Sequence, residues 1–458
     1  MGDRISLITL EHEKREKQEA RECLAVMYDV RARLAERMGS GAILELEKLQ
    51  WLDRLVKLGK NLTFEQAFSG MCYVLAATNA HFFDLCWSAC GGIGSDALRE
   101  KALAAGTAFI QLMAAKEALR SLTSDEIAGM VAASLLDTLF RFDVPKVIET
   151  CGMGGDIGFH ADNSVQKTIN VSTLSAIVLS ALGLPVIKHG SYSNTSAVGS
   201  TDAIERFGAR TSMRSLKEIE RIWSACGFCY FDAHWCKTIH DLSHLLMMET
   251  INHIIGPMSL PVYPQTEVNK IMGVNEKVHP SVVAQAYAAL HRRNIQKIGS
   301  VIVVGGLDKE GCRIDLSDAD AFRAHCILDE ISPYATICSA AYQNYFRGNF
   351  ILYPEDFGIT VDPAEIQVPN HVDVIQKANV AALRGDNSVL ADYLAMNAAL
   401  GLFAERFIAR ADAFIGERFN RDYLRVCYWE CREAIASGRA WKRLVLYVNM
   451  SGGTLSLP

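Results

Sequence analysis

A glycine-rich turn supplies the first group of residues whose types and spacing could do chemistry. The turn follows the apolar run Val147–Ile148, and its members are Gly152, Gly154, Gly155 and Asp156. Glycine lets backbone amides approach an anion without interference from a Cβ atom. The turn therefore predicts a site for phosphate or pyrophosphate, and the alternative interpretation is an ordinary tight turn.

Two further segments carry groups that bind anions. Asn170, Ser172 and Thr173 stand at the start of an apolar helix, where amides and hydroxyls commonly hold an anion, although they could also form a simple helix cap. Lys188 ends a second strand, and the hydroxyl-rich loop that contains Ser196 precedes another helix. Because the strand-to-helix turns of a parallel sheet meet at one edge, we expect these groups to converge.

The elements that must position these residues change in character along the chain. Residues 63–142 show helical periodicity, whereas strand-like runs alternate with helical stretches from residue 146 onward. The clearest strand-like runs are Leu184–Ile187, Phe228–Phe231 and Ser300–Val304. Such alternation is typical of α/β layers with parallel strands. The predicted fold class is therefore α/β, with a small, mostly helical domain and a large α/β domain whose central, largely parallel sheet is flanked by helices.

Composition is that of an ordinary folded enzyme and excludes several other classes. The 458 residues are 50% hydrophobic and 21% charged, enough for two or three domains. The chain has 46 Lys and Arg against 52 Asp and Glu, so its net charge of -6 gives no global positive field for nucleic acid. The 13 Cys are irregularly spaced, and the longest apolar stretch, Leu174–Ile187, is too short to span a bilayer. We therefore expect a cytoplasmic protein without a membrane segment.

Several motifs in a fixed order resemble the anthranilate phosphoribosyltransferase family, which shares its fold with the pyrimidine nucleoside phosphorylases. The resemblance covers roughly residues 65–440. The motifs that carry it are Thr123–Gly129, Lys188-His189-Gly190 with Ser196, Gly199, Ser200, Asp202, Glu205 and Gly208, then Asn252–Pro257, Gly273-Val274, Leu328–Ser332, Tyr353–Gly358 and Asn397–Ala399. The resemblance implies a Mg²⁺-dependent reaction in which a planar aromatic acceptor receives the phosphoribosyl group of phosphoribosyl pyrophosphate (PRPP). It also implies a homodimer formed through the helical domain.

Carried over by position, the resemblance assigns a role to each candidate residue. The residues that would bind the donor are Gly152, Gly154, Gly155, Asp156, Asn170, Ser172, Thr173, Lys188 and Ser196. Mg²⁺ would be held by Asp329, Glu330 and Ser172, because this hard cation prefers a few carboxylates together with substrate oxygens. A competing match, Gly306–Lys309, is rejected because it puts a cation where the family has a second carboxylate. The choice of Asp329 implies an insertion at 309–327, and a second insertion lengthens the loop 157–169.

The acceptor side departs from the family pattern. Catalytic roles fall to Lys188, which would neutralise phosphate, and to His189, which would orient the acceptor or take its proton unless it is a packed structural residue. Ser191 and Tyr192 replace the Asn-Arg that normally follows this motif, and Met153 replaces a Thr. The stretch Leu242–Glu249 contains no Arg, whereas the family has an Arg there that clamps the carboxylate of anthranilate. We therefore expect an acceptor other than anthranilate.

A cluster of cysteines and histidines lies in the same part of the sequence. The spacing of Cys226 and Cys229 is compatible with a zinc site, and core packing is the alternative. His240 and His244 lie one turn apart in the predicted helix 238–255 and would line the acceptor pocket, unless they belong to an exposed helical face.

The resemblance also sets the expected domains and the competing functions. We expect an N-terminal helical extension over 1–60, a helical domain over 61–143 completed by about 236–256, and a donor-binding α/β domain formed by 144–235 and 257–458. The leading hypothesis is phosphoribosyl transfer to a nitrogen or carbon of the acceptor. The alternatives are anthranilate phosphoribosyltransferase of tryptophan biosynthesis, a nucleoside phosphorylase, and a catalytically silent relative that binds nucleic acid or a partner.

Overall fold

The computed structural model describes residues 46–78, 96–136, 138, 141–161, 164–193, 197–212, 215–236, 246 and 248–458. The helices of its first half are α1 (Leu46–Lys57), α2 (Phe64–Thr78), α3 (Asp96–Arg120), α4 (Ser124–Ser134), α5 (Val171–Ala181), α6 (Ser200–Arg206), α7 (Leu216–Cys226) and α8 (Ala233–Cys236). Those of its second half are α9 (Asn252–Met258), α10 (Pro280–Arg292), α11 (Ala319–His325), α12 (Pro363–Ile366), α13 (Val372–Arg384), α14 (Ser388–Arg406), α15 (Arg421–Ala436) and α16 (Arg439–Met450). None of these helices is both long enough and apolar enough to cross a lipid bilayer.

A ten-stranded sheet forms the centre of the protein. Its strands are β1 (Lys146–Gly152), β4 (Val186–Gly190), β5 (Phe228–Asp232), β6 (Glu267–Gly273), β7 (Ile298–Leu307), β8 (Cys326–Leu328), β9 (Ala335–Tyr342), β10 (Tyr345–Leu352), β12 (Phe414–Ile415) and β13 (Arg418–Phe419). They follow the order β12-β13-β10-β9-β7-β6-β1-β4-β5, with β8 paired to β7. Strands β7, β6, β1, β4 and β5 run parallel, and β9 pairs antiparallel with β7 and β10. The predicted fold class is confirmed.

A smaller antiparallel sheet lies beside the glycine-rich turn. It consists of β2 (Phe159–Ala161), β3 (Ser164–Lys167) and β11 (Val368–Pro369), in the order β11-β3-β2. The hairpin of β2 and β3 is the lengthened loop 157–169 that the sequence marks as an insertion. Its pairing with β11 fixes the end of the hairpin, and this places Lys167 beside Asp156.

Helices α1 to α4 form the mostly helical part. Helix α4 begins at a complete capping box, in which Thr123 accepts a hydrogen bond from the Glu126 backbone amide and Glu126 caps the Thr123 amide. The Glu126 carboxylate is fully buried, contacts the Lys116 ammonium of α3 and accepts a hydrogen bond from the Leu62 amide at 2.7 Å. This carboxylate therefore joins α3, α4 and the segment before α2. The predicted extension 1–60 lies outside the described residues up to residue 45, and α1 is its described helix.

Both faces of the parallel strands are covered, since almost every residue of these strands is buried. All ten residues of β7 are buried. Helices α5 and α14 pack closely, since a Cβ at Gly401 would lie 2.5 Å from Leu179 Cδ1. Most of the predicted helix 238–255 lies outside the described residues, which omit 237–245 and 247; residues 248–251 are not helical, and α9 begins at Asn252.

His279 gives the fold a titratable helix cap. It is the N-cap residue of α10, where its Nδ1 accepts a hydrogen bond from the Ser281 amide at 3.2 Å, and its side chain is buried beside Phe322. Burial lowers the pKa of His279 to about 4 from the ordinary 6.5. Because the folded state resists protonation of this imidazole, its contribution to stability is complete above pH 6.5 and is lost as the pH falls toward 4.

His279→Asn tests this pH dependence. Asn retains an N-cap acceptor but does not titrate. From pH 7 to pH 5 the wild type is expected to lose about 2 kcal/mol of unfolding free energy through His279, a loss that the variant does not share. Urea unfolding of both proteins at the two pH values measures the difference. Equal losses in the two proteins would show that His279 is not the group responsible.

Candidate functional site

A cavity of about 270 Å³ opens at the carboxyl ends of β1, β4 and β6. Its walls come from the glycine-rich turn, the start of α5, the end of β4, the segment 248–257 and the pair Asp329-Glu330. Ligands of open α/β sheets bind in the crevice outside the carboxyl ends of the strands. The convergence expected from the separate motifs is therefore present at this edge of the sheet.

The glycine-rich turn requires glycine for two physical reasons. Gly154 and Gly155 have φ of +71° and +68°, in the left-handed region that side chains disfavour. A Cβ at Gly152 would lie 2.2 Å from Asp329 Oδ2, so the backbone could not approach this carboxylate with any other residue. The Gly154 amide instead donates to Asp329 Oδ2 at 2.8 Å. The turn thus brings Asp329 to the wall of the cavity.

Two asparagines hold the start of α5 at the cavity. Asn170 stands at the N-cap position without a side-chain capping bond; its backbone amide donates to Asn379 Oδ1 at 2.8 Å, and Asn379 Nδ2 donates to Asn170 Oδ1 at 2.8 Å. Asn170 Nδ2 also donates to the Val198 carbonyl at 3.0 Å. Ser172, in the first turn, lines the cavity. The positive end of the α5 dipole therefore faces a space suited to an anion.

Three carboxylates lie close together on one side of the cavity. Glu330 contacts the Thr168 hydroxyl and accepts a hydrogen bond from the Tyr393 hydroxyl at 3.1 Å. Burial, reinforced by the nearby charge of Asp156, raises the pKa of Asp329 to about 6. Burial and the charge of Asp329 likewise raise the pKa of Glu330 well above its ordinary value. The raised pKa values indicate that too little positive charge lies near these two carboxylates to stabilise their ionised forms.

Two lysines face the same space. Lys167 Nζ lies 3.0 Å from Asp156 Oδ1, and this ion pair is mostly buried. Lys188 is 2% exposed, and its Nζ donates to the His189 carbonyl at 3.0 Å. Burial lowers the pKa of the Lys188 ammonium. Both cations are positioned to meet the oxygens of a phosphorylated ligand.

A buried ionic network forms the floor beneath the cavity. The Glu149 carboxylate of β1 contacts the Lys270 ammonium of β6 and the His189 ring of β4, and all three side chains are almost fully buried. His189 Nε2 lies 3.0 Å from the Gly256 carbonyl, and Lys270 Nζ donates to the Pro257 carbonyl at 2.6 Å. The network therefore fixes α9 against three parallel strands.

Comparisons with known proteins agree with this architecture. Residues 144–311 match the sequence profile of the glycosyl transferase family, a/b domain. Anthranilate phosphoribosyltransferase of Synechococcus sp. (strain JA-3-3Ab) is 28% identical over 349 residues, covering 74% of this chain and 86% of that protein. The enzyme of the same name from Methanococcus maripaludis (strain C7 / ATCC BAA-1331) is 29% identical over 328 residues, covering 71% and 86%. These matches agree with the resemblance to the anthranilate phosphoribosyltransferase family that the sequence motifs carry.

Solved structures of anthranilate phosphoribosyltransferases share the fold. The Saccharomyces cerevisiae enzyme in complex with PRPP and Mg superposes with a TM-score of 0.63 at 18% identity, covering 89% of this chain and 99% of that one. The Thermus thermophilus enzyme gives a TM-score of 0.59 at 21% identity, covering 88% and 99%. The similarity therefore extends well beyond the residues matched by the family profile.

Most donor-site residues implied by the family resemblance lie around the one cavity. Those that line it are Gly152, Gly154, Gly155, Asp156, Asn170, Ser172, Lys188, Asp329 and Glu330. The rejected motif lies elsewhere, since Asp308 does not line the cavity and pairs with His325 at 3.1 Å. Ser191 and Tyr192 also line the cavity, although the Tyr192 hydroxyl donates to Glu205 at 3.0 Å. Ser196, His240 and His244 lie outside the described residues.

Thr173 and His189 differ from the roles that the family resemblance implies. Thr173 is fully buried, does not line the cavity and is therefore not placed to hold phosphate, because each residue of a helix is rotated by about 100° from the one before and Thr173 lies on a different face from Ser172. Both ring nitrogens of His189 face protein oxygens, those of Glu149 and Gly256. Neither nitrogen is therefore available to take a proton from the aromatic acceptor. The geometry favours the alternative in which His189 is a packed residue that positions its neighbours.

The cysteine spacing does not produce a zinc site in the described part of the chain, because Cys226 and Cys229 belong to no group of three His, Cys, Asp or Glu side chains placed to hold a metal ion there. Cys226 ends α7 and Cys229 lies in β5, and both are fully buried. Burial raises the pKa of the Cys226 thiol to about 11 and that of Cys229 well above its ordinary value. Buried, protonated thiols indicate core packing for this pair.

Sequence reasoning missed several residues of this site. Asn379 and Tyr393 come from distant helices and carry no local motif. Glu149 and Lys270, by contrast, interrupt apolar strands and are direct neighbours in the register of β1 and β6. A charged residue inside a buried strand requires a partner, and that rule could have predicted this pair.

Proposed function

We propose that this protein transfers the 5-phosphoribosyl group of PRPP to a planar aromatic acceptor and releases pyrophosphate. The observation that supports the proposal is the meeting of the glycine-rich turn, the α5 N-terminus, Lys188 and the Asp329-Glu330 pair around one cavity. A lone pair of the acceptor nitrogen forms the bond to ribose C1, and the C1–oxygen bond breaks with its electrons leaving on pyrophosphate. The nitrogen then releases its proton to water.

The donor is held by the α/β part of the chain, 144–235 and 257–458. The amides of the glycine-rich turn and of the α5 N-terminus bind its phosphate oxygens, and Asn170 and Ser172 add side-chain hydrogen bonds. Lys188 neutralises a phosphate, which stabilises charge on the departing pyrophosphate. His189 is a positioning residue that fixes α9 through the Gly256 carbonyl. Such a reaction depends on alignment of the two substrates more than on a strong base.

Mg²⁺ fits the residues present at the acidic side of the cavity. Asp329 and Glu330 are hard oxygen ligands whose raised pKa values reflect missing positive charge, and the Ser172 hydroxyl is a further oxygen donor. Two carboxylates leave room for substrate oxygens, which is the usual arrangement for this cation. Bound there, Mg²⁺ supplies positive charge to the pyrophosphate leaving group.

The acceptor is a planar aromatic compound other than anthranilate. The reason is the absence of Arg from Leu242–Glu249, which removes a bidentate partner for a carboxylate. Anthranilate itself is the second candidate, because the relatives that cover most of this chain are anthranilate phosphoribosyltransferases. The two candidates share the donor half of the site.

Calorimetric titration of PRPP into the purified protein, with and without Mg²⁺, tests the donor half. We expect binding that depends on Mg²⁺, followed by pyrophosphate release when an accepted aromatic amine is added. The nucleoside phosphorylase alternative requires phosphate and a nucleoside to be the substrates instead. Absence of PRPP binding at millimolar Mg²⁺ would overturn the proposed function.

A further inference from the structure

The acceptor side of the cavity carries a chain of four charges that alternate in sign. Glu117 of α3 lies 2.9 Å from His253 Nε2, and His253 Nδ1 lies 3.5 Å from Glu249 Oε1. The other oxygen of Glu249 contacts the Lys277 ammonium. Glu249 and His253 line the cavity itself. This series of four charges joins the helical part of the protein to the segment before α9.

Both cations of this chain are already matched by carboxylates. Burial alone would lower the pKa of His253, but the Glu117 charge more than offsets it and the pKa is raised. The imidazolium is therefore committed to Glu117 and to the Thr250 carbonyl, which its Nδ1 contacts. Lys277 is committed to Glu249. Within the described segment 248–257, every cationic side chain already has an acidic partner. A carboxylate on the aromatic acceptor would therefore meet no unpaired cation there.

Glu249 adds a hydrogen-bond acceptor at the boundary with the donor site. A Cβ at Gly155 would lie 3.2 Å from Glu249 Oε1, so this carboxylate packs directly against the glycine-rich turn. Oε1 is a buried atom that receives no hydrogen bond in the described structure, its charged neighbour being His253 Nδ1 at 3.5 Å, although a carboxylate oxygen can accept two. The charges of Glu249 and Asp156 also add to burial in raising the pKa of nearby Glu276. The side of the cavity formed by Glu249 is therefore acidic, and the capacity of Glu249 Oε1 to accept hydrogen bonds is unused.

We propose that the acceptor is an aromatic amine whose ring substituent donates hydrogen bonds to Glu249, such as a carboxamide or an amidine. The inference rests on the proposed function, because it requires a ring seated beside the bound donor. An N–H donor at this place satisfies Glu249, whereas a carboxylate of the same shape meets a like charge. The wall therefore selects against anthranilate and for its neutral or cationic analogues.

Three isosteric probes test the inference by binding alone. Anthranilate, 2-aminobenzamide and 2-aminobenzamidine are titrated calorimetrically into the wild type held with Mg²⁺ and inorganic pyrophosphate, so that no turnover occurs. The amide and the amidine are expected to bind at least ~10-fold more tightly than anthranilate, which corresponds to about 1.4 kcal/mol. Equal or tighter binding of anthranilate, or binding of none of the three, would overturn the inference.

Variants of Glu249 show whether this residue causes the preference. Glu249→Gln is expected to abolish the advantage of the amidine over anthranilate, and Glu249→Arg to reverse it. Glu430→Gln is the matched control, since Glu430 is a surface carboxylate paired with Arg406 at 2.6 Å. An unchanged ranking in both Glu249 variants would contradict the assignment. PRPP titration of the same wild-type preparation, with Mg²⁺ but without pyrophosphate, separates this result from a failure of the proposed function, which would remove donor binding altogether.

Discussion

Replacing the two carboxylates as Asp329→Asn/Glu330→Gln should lower the affinity for PRPP in the presence of Mg²⁺ at least ~100-fold, or about 2.7 kcal/mol. Both side chains line the cavity beside the glycine-rich turn, and both carry the charge that a hard cation requires. Their amide replacements retain the shape of the site but not its charge. Calorimetric titration of PRPP with and without Mg²⁺ measures the loss directly.

The fold should survive this double replacement. Asp329 and Glu330 are buried with raised pKa values, so their ionised forms are unfavourable without a cation, and neutral amides relieve the repulsion. We expect an unchanged or slightly higher melting temperature for the ligand-free variant. Asp308→Asn is the control, because Asp308 belongs to the competing motif and pairs with His325 outside the cavity. Loss of PRPP affinity in the control alone would show that the wrong acidic motif had been chosen.

The most predictable residues of the site were those that follow the ends of strands and whose types are required for binding an anion. Gly154 and Gly155 adopt positive φ, and Asn170 and Ser172 start a helix, so each leaves a local signal in the sequence. Thr173 illustrates the limit of such reasoning. A run of hydroxyl residues marks the start of α5, but only the packing of the helix determines which hydroxyl faces the cavity.

The antiparallel end of the sheet was not predictable from the same signals. Strands β9 and β10 form a hairpin whose turn contains Gln343 at φ +54° rather than Gly. Hairpins with two-residue turns are usually recognised by Asn-Gly or Asp-Gly, and that signal is missing here. The start of β10 is also exposed, so its residues lack the apolar run that identifies β7. Here pairing within the sheet, rather than local propensity, determines the structure.

Lys270→Met should destabilise the protein by about 3–5 kcal/mol, because it leaves the Glu149 carboxylate in the interior without its ion-pair partner on β6. Burial would raise the pKa of Glu149, but the charges of His189 and Lys270 hold it at about 2, so the carboxylate is ionised at pH 7. Urea unfolding at pH 7 measures the loss. A loss below about 1 kcal/mol would show that the ion pair is dispensable.

The double variant Glu149→Gln/Lys270→Met separates an uncompensated charge from lost packing. Removing both charges should recover much of the stability, since a buried pair often contributes little beyond what apolar residues of similar volume provide. The double variant still lacks the Lys270 hydrogen bond to the Pro257 carbonyl, which fixes α9 beside the cavity. We therefore expect its affinity for PRPP to stay close to that of the wild type while its affinity for the aromatic acceptor falls. A network that served stability alone would leave both affinities unchanged once stability was restored.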